Sequence, residues 1–283
     1  MTVTFSSRPE ELRAADLSAV QSQLTLSQIM TPRASFISCV AEDSVHASFA
    51  GVPDVFDALP VIAGSDPGDK EAAVIGLVHR DRIPLRNRSA TVRGVMDVST
   101  LTSAHDVDRT LIAYMNGLNG EPLEFVVSGD EVVGLVTPYD LERLPVRTAL
   151  FALIIDIEQA IGELVNLRLP DPTGWETLVE RKLQGALRQG LKRAKENDNV
   201  GQAILSVDFN VKLELLQHCF ERTEFAWWDT AEKDEVRTLR NLVAHGAPLR
   251  DVGALPGQVR RLFRLRRLVL DQLSSAPCVR KTG

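Results

Sequence analysis

Apolar residues in the C-terminal half of the chain recur at intervals of three and four. Leu150, Leu153, Ile154, Ile157, Ile161, Leu164 and Val165 trace one stripe, the period of a helix that buries a single face. Periodicity predicts further helices at 173–196, 208–219, 230–245 and 256–274, with Pro170-Asp171-Pro172-Thr173-Gly174 and Pro248 as breaks. The N-terminal half reads differently. Its apolar runs are short and bounded by turn residues, and they occur in the same order twice. The first copy has Ile29-Met30-Thr31-Pro32, a strand over 36–40, a helix over 43–57, strands at 59–62 and 73–78, and a short helix near Asp81. The second has Val95-Met96-Asp97, a strand over 98–102, a helix over 106–115, strands at 123–127 and 132–136, and a short helix from Pro138. Each copy is a β-α-β-β-α unit of about sixty residues. Neither unit buries a core well alone, so the two are expected to pack as a pair. Ser7, Pro9 and Glu10 predict a leading amphipathic helix over 7–24.

At 283 residues the chain has room for two modest domains, placed at 1–146 and 147–275 with a loose tail at 276–283. The join is short, because Leu144-Pro145 leads straight into the apolar stripe. Composition is that of an ordinary soluble protein, 44% hydrophobic and 25% charged. The longest apolar run, Ala149 to Ile155, is cut off by Asp156 and Glu158, too short to cross a bilayer. No membrane partner and a cytoplasmic location are expected. Cys39, Cys219 and Cys278 are far apart and read as reduced thiols, and His46, His79, His105 and His218 have no ligand spacing, so no metal site is expected. Charge divides unevenly: 11 basic and 20 acidic residues lie in 1–146, against 21 and 18 in 147–283. Such an asymmetry points to different ligands for the two halves.

The repeated unit resembles the CBS (cystathionine-β-synthase-type) module, which works in tandem as an adenosine-nucleotide sensor. The resemblance rests on Ile29-Met30-Thr31-Pro32 and Gly76-Leu77-Val78 in the first copy. In the second it rests on Val95-Met96 and Gly134-Leu135-Val136-Thr137-Pro138-Tyr139-Asp140-Leu141. It covers roughly 8–146 and implies a regulatory adenine nucleotide of AMP, ADP or ATP type. The family's ribose and phosphate signature, Gly-x-x-Thr/Ser-x-x-Asp, is met by Gly134, Thr137 and Asp140. A carboxylate accepts from ribose hydroxyls, and a hydroxyl and helix-start amides donate to phosphate. Alternatively Thr137 only caps the turn that carries Asp140. The first copy departs from the signature, with His79 and Arg82 in place of Thr and Asp.

A second constellation closes the helix at 230–245. Val236, Leu239 and Val243 mark its buried face, Gly246 suits a left-handed cap, and Pro248 prevents a restart. Asn241 and His245 then lie one turn apart, with Arg240 beside them. A cation, an amide and an imidazole at one helix end suit a phosphodiester. The half from 147 to 275 resembles the HEPN (higher eukaryotes and prokaryotes nucleotide-binding) domain, an all-α bundle whose motif is Arg-x4–6-His with a polar residue after the Arg. The resemblance implies a metal-independent ribonuclease that needs no catalytic cofactor, with Arg240, Asn241 and His245 as catalytic residues, acting as a homodimer. An antitoxin protein is a further candidate partner, although Ala247 stands where some toxin members carry Tyr. The runner-up is a non-enzymatic sensor whose helical half binds RNA or a protein.

Other residues carry weaker signals. Arg260, Arg264 and Arg267 follow helical spacing and form a candidate RNA-binding strip, or a solvated face. Trp227-Trp228 offers base stacking or core. Asp156 and Glu158 could orient Arg240 or His245, or lie on the surface. Arg240 could instead pair with Asp234 or Glu235. The expected fold is an α+β CBS pair followed by an all-α, HEPN-like bundle.

Overall fold

The computed structural model describes residues 17–84, 89–118, 121–197, 200–220, 228–249 and 252–275. The leading-helix signature Ser7, Pro9 and Glu10, together with Trp227, Cys278 and the tail, lies outside them; residues 17–22 are helical. The chain forms two compact bodies. Among the described residues, those of 21–147 form an α+β body, and those of 148–275, with which 17–20 group, form a helical one.

In the α+β body the first repeat supplies β2 (Cys39–Val40), α1 (Val45–Phe49), β3 (Ala58–Ile62) and β4 (Val74–His79), following β1 (Thr31–Pro32). After α2 (Val92–Val95), the second supplies β5 (His105–Asp106), α3 (Leu111–Gly117), β6 (Glu124–Ser128) and β7 (Glu131–Val136). Each repeat has a parallel then an antiparallel pairing, β2-β3-β4 and β5-β6-β7. Both have a register shift at the same place, Val61/Ile62 and Val126/Val127. The registers align Cys39 with His105, Leu59 with Glu124, Gly76 with Gly134 and His79 with Thr137.

The repeats exchange their leading segments. β1 lies antiparallel on β7 of the second repeat, and Asp97 bridges Leu77 on β4 of the first. This explains a shared Gly and a shared Met. A Cβ at Gly134 would stand 2.7 Å from Met30 Sδ and 2.9 Å from the Thr31 carbonyl oxygen. A Cβ at Gly76 would stand 2.9 Å from the Asp97 carbonyl oxygen and 3.5 Å from Met96 Sδ. Only glycine admits a backbone this close. Phe36, Ala58 and Leu77 pack with Leu123, Phe125 and Leu135 in a core shared by both repeats. The strand expected at 36–40 is shortened to Cys39–Val40, the one expected at 98–102 is displaced to His105–Asp106, and the helix expected over 43–57 ends at Phe49, with 50–57 a loop.

The helical body holds α4 (Leu144–Arg168), α5 (Trp175–Leu178), α6 (Gln184–Glu196), α7 (Phe209–Gln217), α8 (Thr230–His245) and α9 (Leu255–Ser275). The helix α4 starts within the α+β body and runs on unbroken. All seven residues of its expected stripe are buried. The single helix expected at 173–196 is divided by extended backbone at Val179. No helix among the described residues is long and apolar enough to cross a membrane.

Candidate functional site

Thr137 follows β7 and caps the turn Pro138–Glu142. The carboxylate of Asp140 is turned back on that turn. Its Oδ2 accepts from the Thr137 amide at 2.8 Å and from the Thr137 hydroxyl at 2.9 Å, while Oδ1 meets Arg143 Nη2 at 2.9 Å. Asp140 is 5% exposed. With about four acceptor positions on a carboxylate, three are taken by the chain itself. Rotation of the Thr137 hydroxyl frees a second for a ribose. Gly134 serves the crossing strand, as described above.

Thr137, Pro138 and Tyr139 border a cavity of about 120 Å³. Val55, Phe56, Asp57 and Ala58 of the first repeat also line it, with Pro122 and Leu123. Val55, Phe56 and Tyr139 are 70%, 42% and 78% exposed, so the lining is largely apolar and aromatic, with the hydroxyls of Thr137 and Tyr139 and the carboxylate of Asp57 as its polar side-chain groups. Sequence spacing pointed to Thr137 but not to 55–58, because the wall belongs to the other repeat. A larger groove of about 700 Å³ lies among Arg33, Lys70, Glu71 and Glu131; no residue of the expected site lines it.

In the first repeat the equivalent turn is Arg80–Arg82. Arg82 pairs with Asp97 at 3.2 Å. The Asp97 carboxyl is held below its usual range, first by the Ser99 hydroxyl and amide and then by Arg82. Arg80 turns to the 52–57 loop of its own repeat.

Beneath the second repeat's turn lies a buried polar cluster. Glu124 pairs across the sheet with Val136 and is 8% exposed. His105 Nε2 stands 3.5 Å from Glu124 Oε1, and His105 Nδ1 faces Arg109 Nη1 at 2.8 Å. The Tyr114 ring meets His105 edge-on at 5.1 Å. Burial raises the Glu124 carboxyl, but contacts with His105 and the Tyr114 hydroxyl more than offset it, and the net is below the usual range. Burial and then the Glu124 charge push the Tyr114 hydroxyl far up.

In the helical body α8 ends as its sequence dictates. Gly246 has φ +66°, and the Gly246 and Ala247 amides both donate to the Leu242 carbonyl. Asn241 and His245 are exposed and Arg240 is half-buried. The Arg240 guanidinium lies 5.8 Å from the Phe209 ring centroid and 3.4 Å from Asn241 Oδ1. The acids weighed as partners are engaged elsewhere: Asp234 with Arg237, and Glu235 with Arg261. Asp156 and Glu158 do not orient the motif either, since Asp156 meets Arg266 at 2.6 Å and Glu158 meets Lys212 at 2.7 Å.

Arg260, Arg264 and Arg267 are exposed along α9, while Arg261 and Arg266 turn inward to acids. Arg267 lies 3.8 Å from Asp271. Trp228 is 4% exposed, which assigns it to the core and removes it as a stacking platform. Burial pushes the thiols of Cys39 and Cys219 up to about 12, the surroundings of structural thiols.

No protein-family model matches the chain, and no curated protein matches it. Solved structures of CBS domains do. The CBS domain of a bacterial CNNM/CorC family Mg2+ transporter in complex with ATP is 15% identical over 50% of this chain and 98% of that one, with a TM-score of 0.36. The CBS domains of a transcriptional regulator from Streptococcus pneumoniae are 20% identical over 42% and 96%, with a TM-score of 0.35. A hemolysin-like CBS protein of Oenococcus oeni is 17% identical over 46% and 93%, with a TM-score of 0.34. At such scores the reading of the site rests on the geometry above.

Proposed function

We propose that residues 21–147 are a tandem CBS pair binding an adenine nucleotide, and that the helical body is a HEPN ribonuclease governed by it. The observation that carries the sensor half is the cavity bordered by Thr137–Tyr139 of one repeat and Val55–Ala58 of the other. Its apolar and aromatic rim suits a flat base. The Asp140 carboxylate suits ribose hydroxyls, and the Thr137 hydroxyl suits a phosphate.

In the helical body His245 takes the proton of an RNA 2′-hydroxyl as its oxygen attacks the adjacent phosphorus. The bond to the 5′-oxygen breaks, that oxygen receives a proton, and a 2′,3′-cyclic phosphate remains. Arg240 offsets the charge growing on the phosphoryl oxygens, and Asn241 holds the phosphate or orients His245. The exposed Arg260, Arg264 and Arg267 track the RNA backbone. Two copies of the chain bring two motifs to one cleft.

The second reading, a sensor that binds RNA or a protein without cutting, gains from one contact. Arg240 packs on Phe209 and bonds Asn241, which gives two motif residues a duty within the fold. Cleavage assays with and without AMP, ADP or ATP decide between the two. The ribonuclease reading expects cutting in EDTA, cyclic-phosphate ends, intact DNA, and a loss of about 10²–10⁴-fold in His245→Ala. A dimer that cuts no RNA under any of these conditions favours the second reading. Cutting that survives His245→Ala places the chemistry elsewhere.

A further inference from the structure

We infer that Arg80 is a positioning residue for the nucleotide cavity: the first repeat's turn has given up ligand contact and instead holds the wall of the second repeat's pocket. The inference rests on reading that cavity as an adenine-nucleotide site. One guanidinium makes nearly all the fixings. Arg80 Nε donates to the Phe56 carbonyl at 3.0 Å, and Nη2 donates to the carbonyls of Pro53 at 3.0 Å and Val52 at 3.2 Å. Nη1 lies 3.4 Å from Asp54, and the Arg80 amide donates to the Asp57 carbonyl at 2.7 Å. The cation also sits 4.7 Å over the Phe49 ring of α1.

Every carbonyl it engages belongs to the loop 52–57, and Val55, Phe56 and Asp57 of that loop line the cavity. That loop has no strand or helix of its own, and three of its carbonyls turn toward one side chain. A fork-shaped donor set spans them, which a compact ammonium does not. The equivalent position in the second repeat is Pro138, which has no side-chain donor, so the device is built in one repeat only. The division of labour follows. Thr137 and Asp140 supply polar groups for the ligand, and Arg80 supplies rigidity. A wall ordered before binding spares the ligand the cost of ordering it.

Calorimetry with AMP on the full chain tests this, with hydrogen exchange measured alongside. In Arg80→Met, the dissociation constant for AMP is expected to rise about tenfold. Amides of 52–57 should exchange faster while those of β6 and β7 keep the wild-type rate. Arg80→Lys should fall between the two and serves if Arg80→Met does not fold. An AMP affinity within twofold of wild type in these variants overturns the inference. So does a loss accompanied by equally faster exchange in β6 and β7, which marks general loosening. Wild-type protein that binds no AMP sinks the nucleotide-site reading itself, a different result from an unaffected variant.

Discussion

Across the sheet from Val78 the first repeat has Leu59; across from Val136 the second has Glu124. Around those two positions the interiors diverge completely on one backbone plan. The first repeat lines the space with Cys39, Ser48 and Leu59, and the thiol is pushed up to about 12, chiefly by burial. The second lines it with His105, Arg109, Tyr114 and Glu124. Charged groups are costly inside a protein unless each meets a partner. Here the cost is accepted only in the repeat whose turn faces the cavity, one residue beyond Val136. The apolar repeat carries the Arg80 clamp. The same topology therefore serves once as a frame and once as a ligand holder.

The comparison is broken most directly by moving one residue from the first interior into the second. Glu124→Leu removes the carboxylate that His105 and the Tyr114 hydroxyl face. We expect a loss of about 3 kcal/mol in the α+β body, read by denaturant titration with hydrogen exchange of β6 amides. Adding His105→Cys removes one of those two groups, so the double variant should be at least about 1 kcal/mol more stable than the two single losses predict. Strict additivity would show that the four residues do not act as a network.

Next in size is the ligand contrast. Asp140→Ala should weaken AMP binding more than tenfold, for a lost charged acceptor of about 1.5–3 kcal/mol. The equivalent change in the first repeat, Arg82→Ala, removes only an exposed contact to Asp97 and should alter AMP affinity by no more than about twofold. Equal losses in the two variants would mean that both turns hold the ligand.

The smallest effect is acid sensitivity. The Glu124 carboxyl is held below its usual value of 4.5 in the folded state. Its stabilisation is complete above that value and disappears as pH falls through the lower, folded one. Denaturant midpoints of the α+β body should therefore fall as pH drops below 4.5, and less steeply in Glu124→Leu. Parallel pH profiles for the two would remove Glu124 from the acid response.

Much of the frame was legible because periodicity is a local property. The stripe from Leu150 to Val165 predicted a buried helix face, and the doubled Gly-Leu-Val segments predicted paired repeats. The cap at Gly246 followed from one glycine and one proline. What stayed hidden needed contacts between distant segments. Nothing near Gly134 says that Thr31 will cross it. Nothing near Val55 says that it faces Thr137. Asp156 and Glu158 looked available in sequence, but Arg266 and Lys212 reach them from other helices.

The exchanged segments also fix an order of events. Thr31 pairs with Leu135 at the far end of the body's sequence, and β4 waits for Asp97 from the next repeat. As the chain leaves the ribosome, the first repeat therefore stays incomplete until the second has begun. β1 has no partner until β7 emerges. Such distant pairings fold slowly, and an unpaired strand is open to the wrong neighbour. The sheets are thus complete only in the tandem pair, and a half-made pair leaves strand edges open on the nascent chain.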